Sequence, residues 1–329
     1  MVRQDRHHMR RRTLLAVPVL VLGARAQAQS PVRLAWIEPG FPASGVPRLA
    51  SMRNGLAENG LIEGRDYVLE AFAADGDYRR FPAVVEKAME THPTVLLVTT
   101  ILSVRAAQQA TKTLPIVFVG TNDPVGAGLI DSLARPGGNT TGVATMSDQA
   151  APKLVDMMHR ALPTVRRVAV LINPGNPTNR PIFDSIRSSA RTLGIEAEAI
   201  EVTAPASIDA ALGPASAPQP DAVIVVLDAM LVSIGDRIAQ ICVERRVPVL
   251  GAGREQTETG ALLSYGSSLD LLIRRSAYFV KRVLAGTPPR DLPAEQPTKF
   301  ELTINLKTAR AIGVTIPRSV LAEADDLIE

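Results

Sequence analysis

Cysteine occurs once in the 329 residues, as Cys242, and histidine only four times. A single cysteine excludes a disulfide within the chain and any Cys-based metal cluster. His7 and His8 lie near the start, and the other two histidines, His92 and His159, are far apart. No H-E-x-x-H motif or Cys/His metal spacing occurs, and no Ser–His–Asp or Cys–His arrangement stands out. His92 precedes Pro93 in a turn and His159 falls at the end of an amphipathic helix, so packing or surface roles are expected for both. Phosphate-binding glycine motifs are missing too. Gly126-Ala127-Gly128 lacks the third glycine of a dinucleotide site, and Arg135-Pro136-Gly137-Gly138-Asn139 lacks the Gly-Lys-Ser/Thr ending of a P-loop. No pair of carboxylates stands out for hydrolysis. The expectation is a protein with no catalytic residues, no metal and no cofactor.

Long apolar runs are also scarce. Leu14–Leu22, interrupted by Pro18, is about half the ~20 residues a membrane span needs. It follows Arg10-Arg11-Arg12 and precedes Ala26-Gln27-Ala28, an A-x-A cleavage signal. Residues 1–28 therefore read as an export leader, with a mature start near Gln29. The paired arginines before Thr13-Leu14-Leu15 leave both general and twin-arginine export open. No cysteine near the cleavage point can carry a lipid. The leader holds six of the 36 basic residues and one of the 33 acidic ones, leaving 30 against 32 and a net charge of −2 in place of +3. A nucleic-acid-binding surface is not indicated.

What is present is alternation. Apolar strand patterns at Val32–Ile37, Tyr67–Phe72, Val95–Thr99 and Ile116–Val119 are separated by helical patterns at Pro47–Asn59, Phe81–Glu90 and Ser103–Thr111, with a further helix expected at Val125–Leu133. The series restarts near residue 145. It has helices at Lys153–Leu162, Pro181–Leu193, Ile234–Arg245 and Leu269–Leu284, a short helix from Ile208, and strands at Arg167–Ile172, Glu196–Val202, Val223–Leu227, Val247–Leu250 and Ala261–Tyr265. No residue-level repeat relates the halves. A Pro-rich stretch, Pro288–Pro297, reads as a linker, followed by a strand at Lys299–Asn305 and a helix at Leu306–Ile312. About 300 residues exceed what one core usually serves. The fold class is α/β, with two doubly wound parallel-sheet lobes. Cys242 falls in an apolar helical pattern and is expected in the core.

In such sheets ligands bind beyond the carboxyl ends of the strands. The polar and small residues there are the candidate site. Glu38 and Phe41 follow the first strand, Thr99, Thr100 and Ser103 the third, and Asn122 and Asp123 the fourth. Asn173, Asn176, Asp228, Arg254 and Tyr265 occupy matching places in the second series. Helix N-termini with Thr100 or Ser103 suit a carboxylate, and Arg254 suits an anion. Glu38, Asp123 or Asp228 suits an amino group, while Phe41 and Tyr265 could cover an apolar part. Each also has a local reading: Ser103 as a helix cap, Asp123 and Asn176 as turn residues beside proline.

Three stretches carry a family resemblance. They are Asn122-Asp123-Pro124-Val125 through Ser132–Asn139 with Thr141-Gly142, then Leu262–Gly266, and then Glu295–Leu302 with Ile304–Ala309. In these the chain resembles the ABC-transporter substrate-binding proteins of the tryptophan/tyrosine-binding type, with a type I periplasmic-binding fold. The resemblance implies two lobes joined by a three-strand hinge, with crossings near Gly142–Thr145, Ser264–Gly266 and Pro297–Phe300. The N-terminal lobe would be residues 29–143 plus 267–297, and the C-terminal lobe 144–266 plus 298–329. It further implies a periplasmic monomer that closes on a small ligand, an aromatic or other amino acid, and passes it to an ABC permease in the inner membrane. Where the family often has Thr-Pro after the third strand, this chain has Ile101-Leu102, so a hydroxyl contact is lost or passes to Thr100 or Ser103. A sensor feeding a membrane kinase is the rival function; an enzyme on the same scaffold is a second.

Overall fold

Strands form where short, β-branched apolar runs are bounded by turn residues, and helices where the apolar period lengthens. The computed structural model describes residues 30–40, 42–213 and 219–329. The expected leader and Phe41 lie outside the described residues. The first series is β1 (Val32–Glu38), α1 (Pro42–Glu58), β2 (Tyr67–Ala73), α2 (Phe81–Met89), β3 (Val95–Val98), α3 (Ile101–Ala110), β4 (Ile116–Thr121) and β5 (Thr140–Ala144). The second begins with α4 (Ser147–Ala161), β6 (Arg167–Ile172), α5 (Asn179–Thr192), β7 (Glu196–Glu201), α6 (Ile208–Ala211), β8 (Ala222–Val225), α7 (Ala229–Ser233) and α8 (Gly235–Glu244). It continues through β9 (Val249–Gly251), α9 (Arg254–Glu258), β10 (Leu263–Gly266), α10 (Leu269–Leu284), β11 (Glu301–Asn305), α11 (Leu306–Ile312), α12 (Arg318–Leu321) and β12 (Asp326–Ile328).

These elements make two α/β lobes. The first sheet has the order β2-β1-β3-β4-β5, every pair parallel. The second has the order β12-β11-β10-β9-β8-β6-β7. Read from β7 to β10, the second repeats the strand order of the first. Central strands such as β3 and β8 are buried along their whole length, which is why they read as unbroken apolar runs. The second sheet is not wholly parallel: β11 runs antiparallel to β10, and β12 joins β11 in parallel.

The chain passes between the sheets three times: between β5 and α4, between β10 and α10, and in the stretch leading into β11. Helix α10 returns to the first lobe, where Ile273, Phe279 and Val280 pack with Leu34, Trp36 and Met52. A separate core around Leu154, Val170, Ile224 and Leu263 holds the second lobe.

Two expectations fail here. No helix forms over Val125–Leu133; turns occupy it. Asp123, in the left-handed region at φ 36°, accepts the Gly126 N–H at 2.9 Å, so local turn chemistry wins over helical spacing. The stretch Pro288–Pro297 is not a bare linker. Leu292 and Ala294 are buried, and Glu295 pairs with β5, accepting from Ala144 N at 2.8 Å and donating to Gly142 O at 2.9 Å.

Gly142 has φ 150°, and a Cβ there would stand 2.0 Å from the Phe118 carbonyl oxygen. Gly142→Ala is therefore expected to cost about 1–3 kcal/mol through overpacking; an unchanged urea midpoint would contradict this. Cys242 is buried in the second core, and burial pushes its thiol up to about 12, with Arg245 opposing. The native protein should resist alkylation at about pH 8 and react once denatured, as scored by mass.

Candidate functional site

A 2-1-3-4-5 strand order places a crevice where the order reverses, outside the carboxyl ends of β1 and β3. The repeated order in the second sheet places another outside β6 and β8. The two face each other across one cavity of ≈ 90 Å³. Trp36, Tyr78, Thr99 and Thr100 line it from the first lobe, and Asn176 and Asp228 from the second. Much of the remaining wall is apolar, including Ile101, Val119, Ile182, Leu227, Leu269 and Ile273. Wider grooves flank it. One, of ≈ 750 Å³, includes Tyr78 and Asn173; the other, of ≈ 770 Å³, includes Arg48, Arg254 and Glu255.

Asp228 organises the cavity. It is 2% exposed, and it sits beyond β8 as the N-cap of α7. Its Oδ1 accepts from Met230 N at 2.9 Å and Leu231 N at 3.2 Å. Its Oδ2 accepts from Asn176 Nδ2 and from the Tyr78 hydroxyl, each at 2.8 Å. Asn173 Nδ2 lies 3.4 Å from both oxygens. The Tyr78 bond crosses the cleft and joins the lobes. Burial, with the Asp228 charge beside it, pushes the Tyr78 hydroxyl well above its ordinary value, which keeps it protonated as a donor. Among the described residues lining the cavity, Asp228 carries the only negative charge and Arg48 the only positive one. Arg48 forms an ion pair at 3.1 Å with Glu38, itself 1% exposed. Across the cleft, burial pushes the Glu255 carboxyl up; Glu258 adds to this and Arg48 opposes it.

Two α/β lobes with facing crevices are a clamp for a small molecule. The model of the ABC transporter substrate binding protein family matches residues 48–328. The chain belongs to that family. A tyrosine-binding protein of Clostridioides difficile (strain R20291) is 23% identical over 259 residues, covering 79% of this chain and 74% of that one. A conserved domain protein of Vibrio cholerae matches in structure with a TM-score of 0.81 at 26% identity, covering 90% and 99% of the two chains. An ABC domain from Streptococcus pneumonia in complex with L-Trp matches with a TM-score of 0.79 at 22% identity, covering 90% and 100%. As a substrate-binding protein the chain is a binder, not an enzyme. Among the described residues no group of three or more His, Cys, Asp or Glu side chains could hold a metal ion.

Of the residues expected at the site, Thr99, Thr100, Asn122, Asn176 and Asp228 line the cavity. Asn173 reaches it through Asp228, and Glu38 through Arg48. The others are elsewhere. Ser103 is fully buried in a capping box: Thr100, not Ser103, is the N-cap of α3, and the two hydroxyls serve each other and the helix backbone. Asn122 Oδ1 accepts the Ser147 N–H at 2.6 Å, which ties β4 to the start of α4. Asp123 is a turn residue. Arg254 is held outside the cavity by Glu258 and Asp326, at 2.8 and 2.6 Å. Tyr265 packs on Phe300 with 6.0 Å between ring centroids, away from the cavity. Phe41 lies outside the described residues. Tyr78, Trp36 and Arg48 were not anticipated. Tyr78 follows β2, whose carboxyl end carries the same signal as those of β1 and β3.

The Tyr78–Asp228 bond is the direct polar tie across the cleft mouth. A hydrogen bond to a charged group contributes about 1.5–3 kcal/mol. Tyr78→Phe should therefore open the ligand-free protein, seen as a larger radius of gyration in small-angle scattering. An unchanged radius would contradict the tie.

Proposed function

We propose that this protein captures a small amino acid, aromatic or otherwise apolar, between its lobes in the periplasm and delivers it to an ABC importer in the inner membrane. The carrying observation is Asp228: a buried carboxylate in an apolar-walled cavity, held by neutral donors alone. Its roughly four acceptor positions are taken by two backbone N–H groups, a phenol and an amide. A ligand ammonium enters by replacing one neutral donor with a charge-assisted bond. The names of two relatives, one tyrosine-binding and one holding L-Trp, support the same class.

The small central volume supports a moving clamp. A cavity of ≈ 90 Å³ lies below the roughly 300 Å³ at which small-molecule sites begin, so the lobes part to admit a ligand. The three passages between the sheets serve as the hinge, the N-terminal lobe being residues 29–143 plus 267–297 and the C-terminal lobe 144–266 plus 298–329. Ligand contacts to both lobes favour the closed form, which is the form the permease would read. The protein acts as a monomer, exported by its first 28 residues. Among the described residues no helix is long and apolar enough to cross a membrane.

Calorimetry against the natural amino acids tests the reading. The wild type should bind one or a few apolar members. Asp228→Asn should weaken that binding by about 2–5 kcal/mol, roughly thirty-fold or more, the cost of leaving a buried ammonium without its charge partner. Equal binding by the variant, or no amino acid bound by the wild type, would contradict it.

A further inference from the structure

Asp228 accounts for one end of such a ligand and leaves the other unassigned. Several hydroxyls near it are spent. Those of Thr100 and Ser103 bond each other and the first turn of α3. Thr99 Oγ1 donates to the Ile37 carbonyl at 3.2 Å, and Thr178 Oγ1 to Asn176 Oδ1 at 2.8 Å.

Two buried side-chain N–H donors on the first lobe have no hydrogen-bond partner. Trp36 is fully buried, lines the cavity from β1, and its Nε1–H has no hydrogen-bond partner. Arg48 lines the same cavity from α1. Its Nε donates to Glu38 Oε2 at 3.2 Å, while Nη2, 3.1 Å from the same oxygen, makes no hydrogen bond. Glu38 Oε1 is likewise buried without a partner, so this ion pair uses one carboxylate oxygen and leaves most of the five N–H donors of the guanidinium fork free. A buried donor left alone is costly, so a pair of them in one cavity marks a place built for an acceptor. Trp36 packs with Val119, Ile273 and Leu269 on the face of the sheet that α1 and α10 cover. Both donors line the cavity from the first lobe, opposite the acid of the second.

We propose that Arg48, held in place by Glu38, and the Trp36 indole N–H form the anion anchor of the cleft, so that the ligand is an acid whose carboxylate binds the first lobe. This rests on the reading of the cleft as an amino-acid site and names the residues for its other half. Each lobe then grips one charge of the ligand, and only closure engages both. Amides and esters of the same amino acids are rejected because they bring no anion to the fork.

Calorimetry of wild type, Glu38→Gln/Arg48→Gln, Arg48→Lys and Trp36→Phe tests this against α-amino acids, their carboxamides, and the matching acids lacking the amine. The double variant removes the charge of Arg48 without stranding the Glu38 carboxylate. The wild type should favour the amino acid over its carboxamide by about 10- to 100-fold, the range of a charged hydrogen bond. The double variant should lose that preference with its melting temperature retained. Trp36→Phe should bind about 10- to 100-fold more weakly, as for one hydrogen bond to a charged acceptor. Arg48→Lys, which keeps the charge and loses the fork, should retain a reduced preference, and it serves as the decisive variant if the double one does not fold. Equal binding of acid and amide by the wild type, or an undiminished preference in the variants, would overturn the anchor. A wild type that binds only the amine-free acid, with Arg48 required, would overturn the amino-acid reading and uphold the anchor. One that binds neither would overturn both.

Discussion

A carboxylate buried between two lobes must be answered by donors from both, and that constraint organises this molecule. Asp228 takes two backbone N–H groups and an amide from its own lobe and a phenol from the other. An unanswered charge at that depth would cost several kcal/mol. Of these neutral hydrogen bonds, the one from Tyr78 joins the two lobes. The side-chain donors Tyr78 and Asn176 are the ones a cation can replace with a stronger bond, which is the property a ligand-responsive clamp needs.

The constraint is met because the two sheets repeat one strand order. Each places its reversal point, and hence the tips of its central strands, at the cleft. On the first lobe those tips carry Thr99, Thr100 and the Arg48–Glu38 pair; on the second they carry Asn173, Asn176 and Asp228. The crossings lie beside this cleft. Ser267 Oγ donates to the Thr145 carbonyl at 2.8 Å, and Asn122 caps the entry to α4, so two of the three passages are pinned to each other or to the first lobe close to the cavity.

Much of this was legible in the residues. Unbroken apolar runs such as Val95–Val98 and Ala222–Val225 identify buried parallel strands, and strand-tip polarity located Asp228, Asn176, Asn122 and the two threonines. The misses have physical causes. Val125–Leu133 has helical spacing, but Asp123 and the glycines beside it satisfy the backbone locally first. Arg254 follows a strand tip, yet α9 begins on it, and Glu258, one turn on, draws it to the surface. Trp36 in mid-strand reads as plain core; only its unanswered N–H marks it. Arg48 is one cation among many and becomes visible only when α1 folds over β1 and meets Glu38.

A crystal structure of the protein with the ligand it retains on purification would locate the charge of the guest. A cationic nitrogen is expected within hydrogen-bonding distance of an Asp228 carboxylate oxygen, with Tyr78 or Asn176 moved aside to make room. A ligand seated in a flanking groove, with the Tyr78–Asp228 bond intact and no cation at that carboxylate, would contradict it.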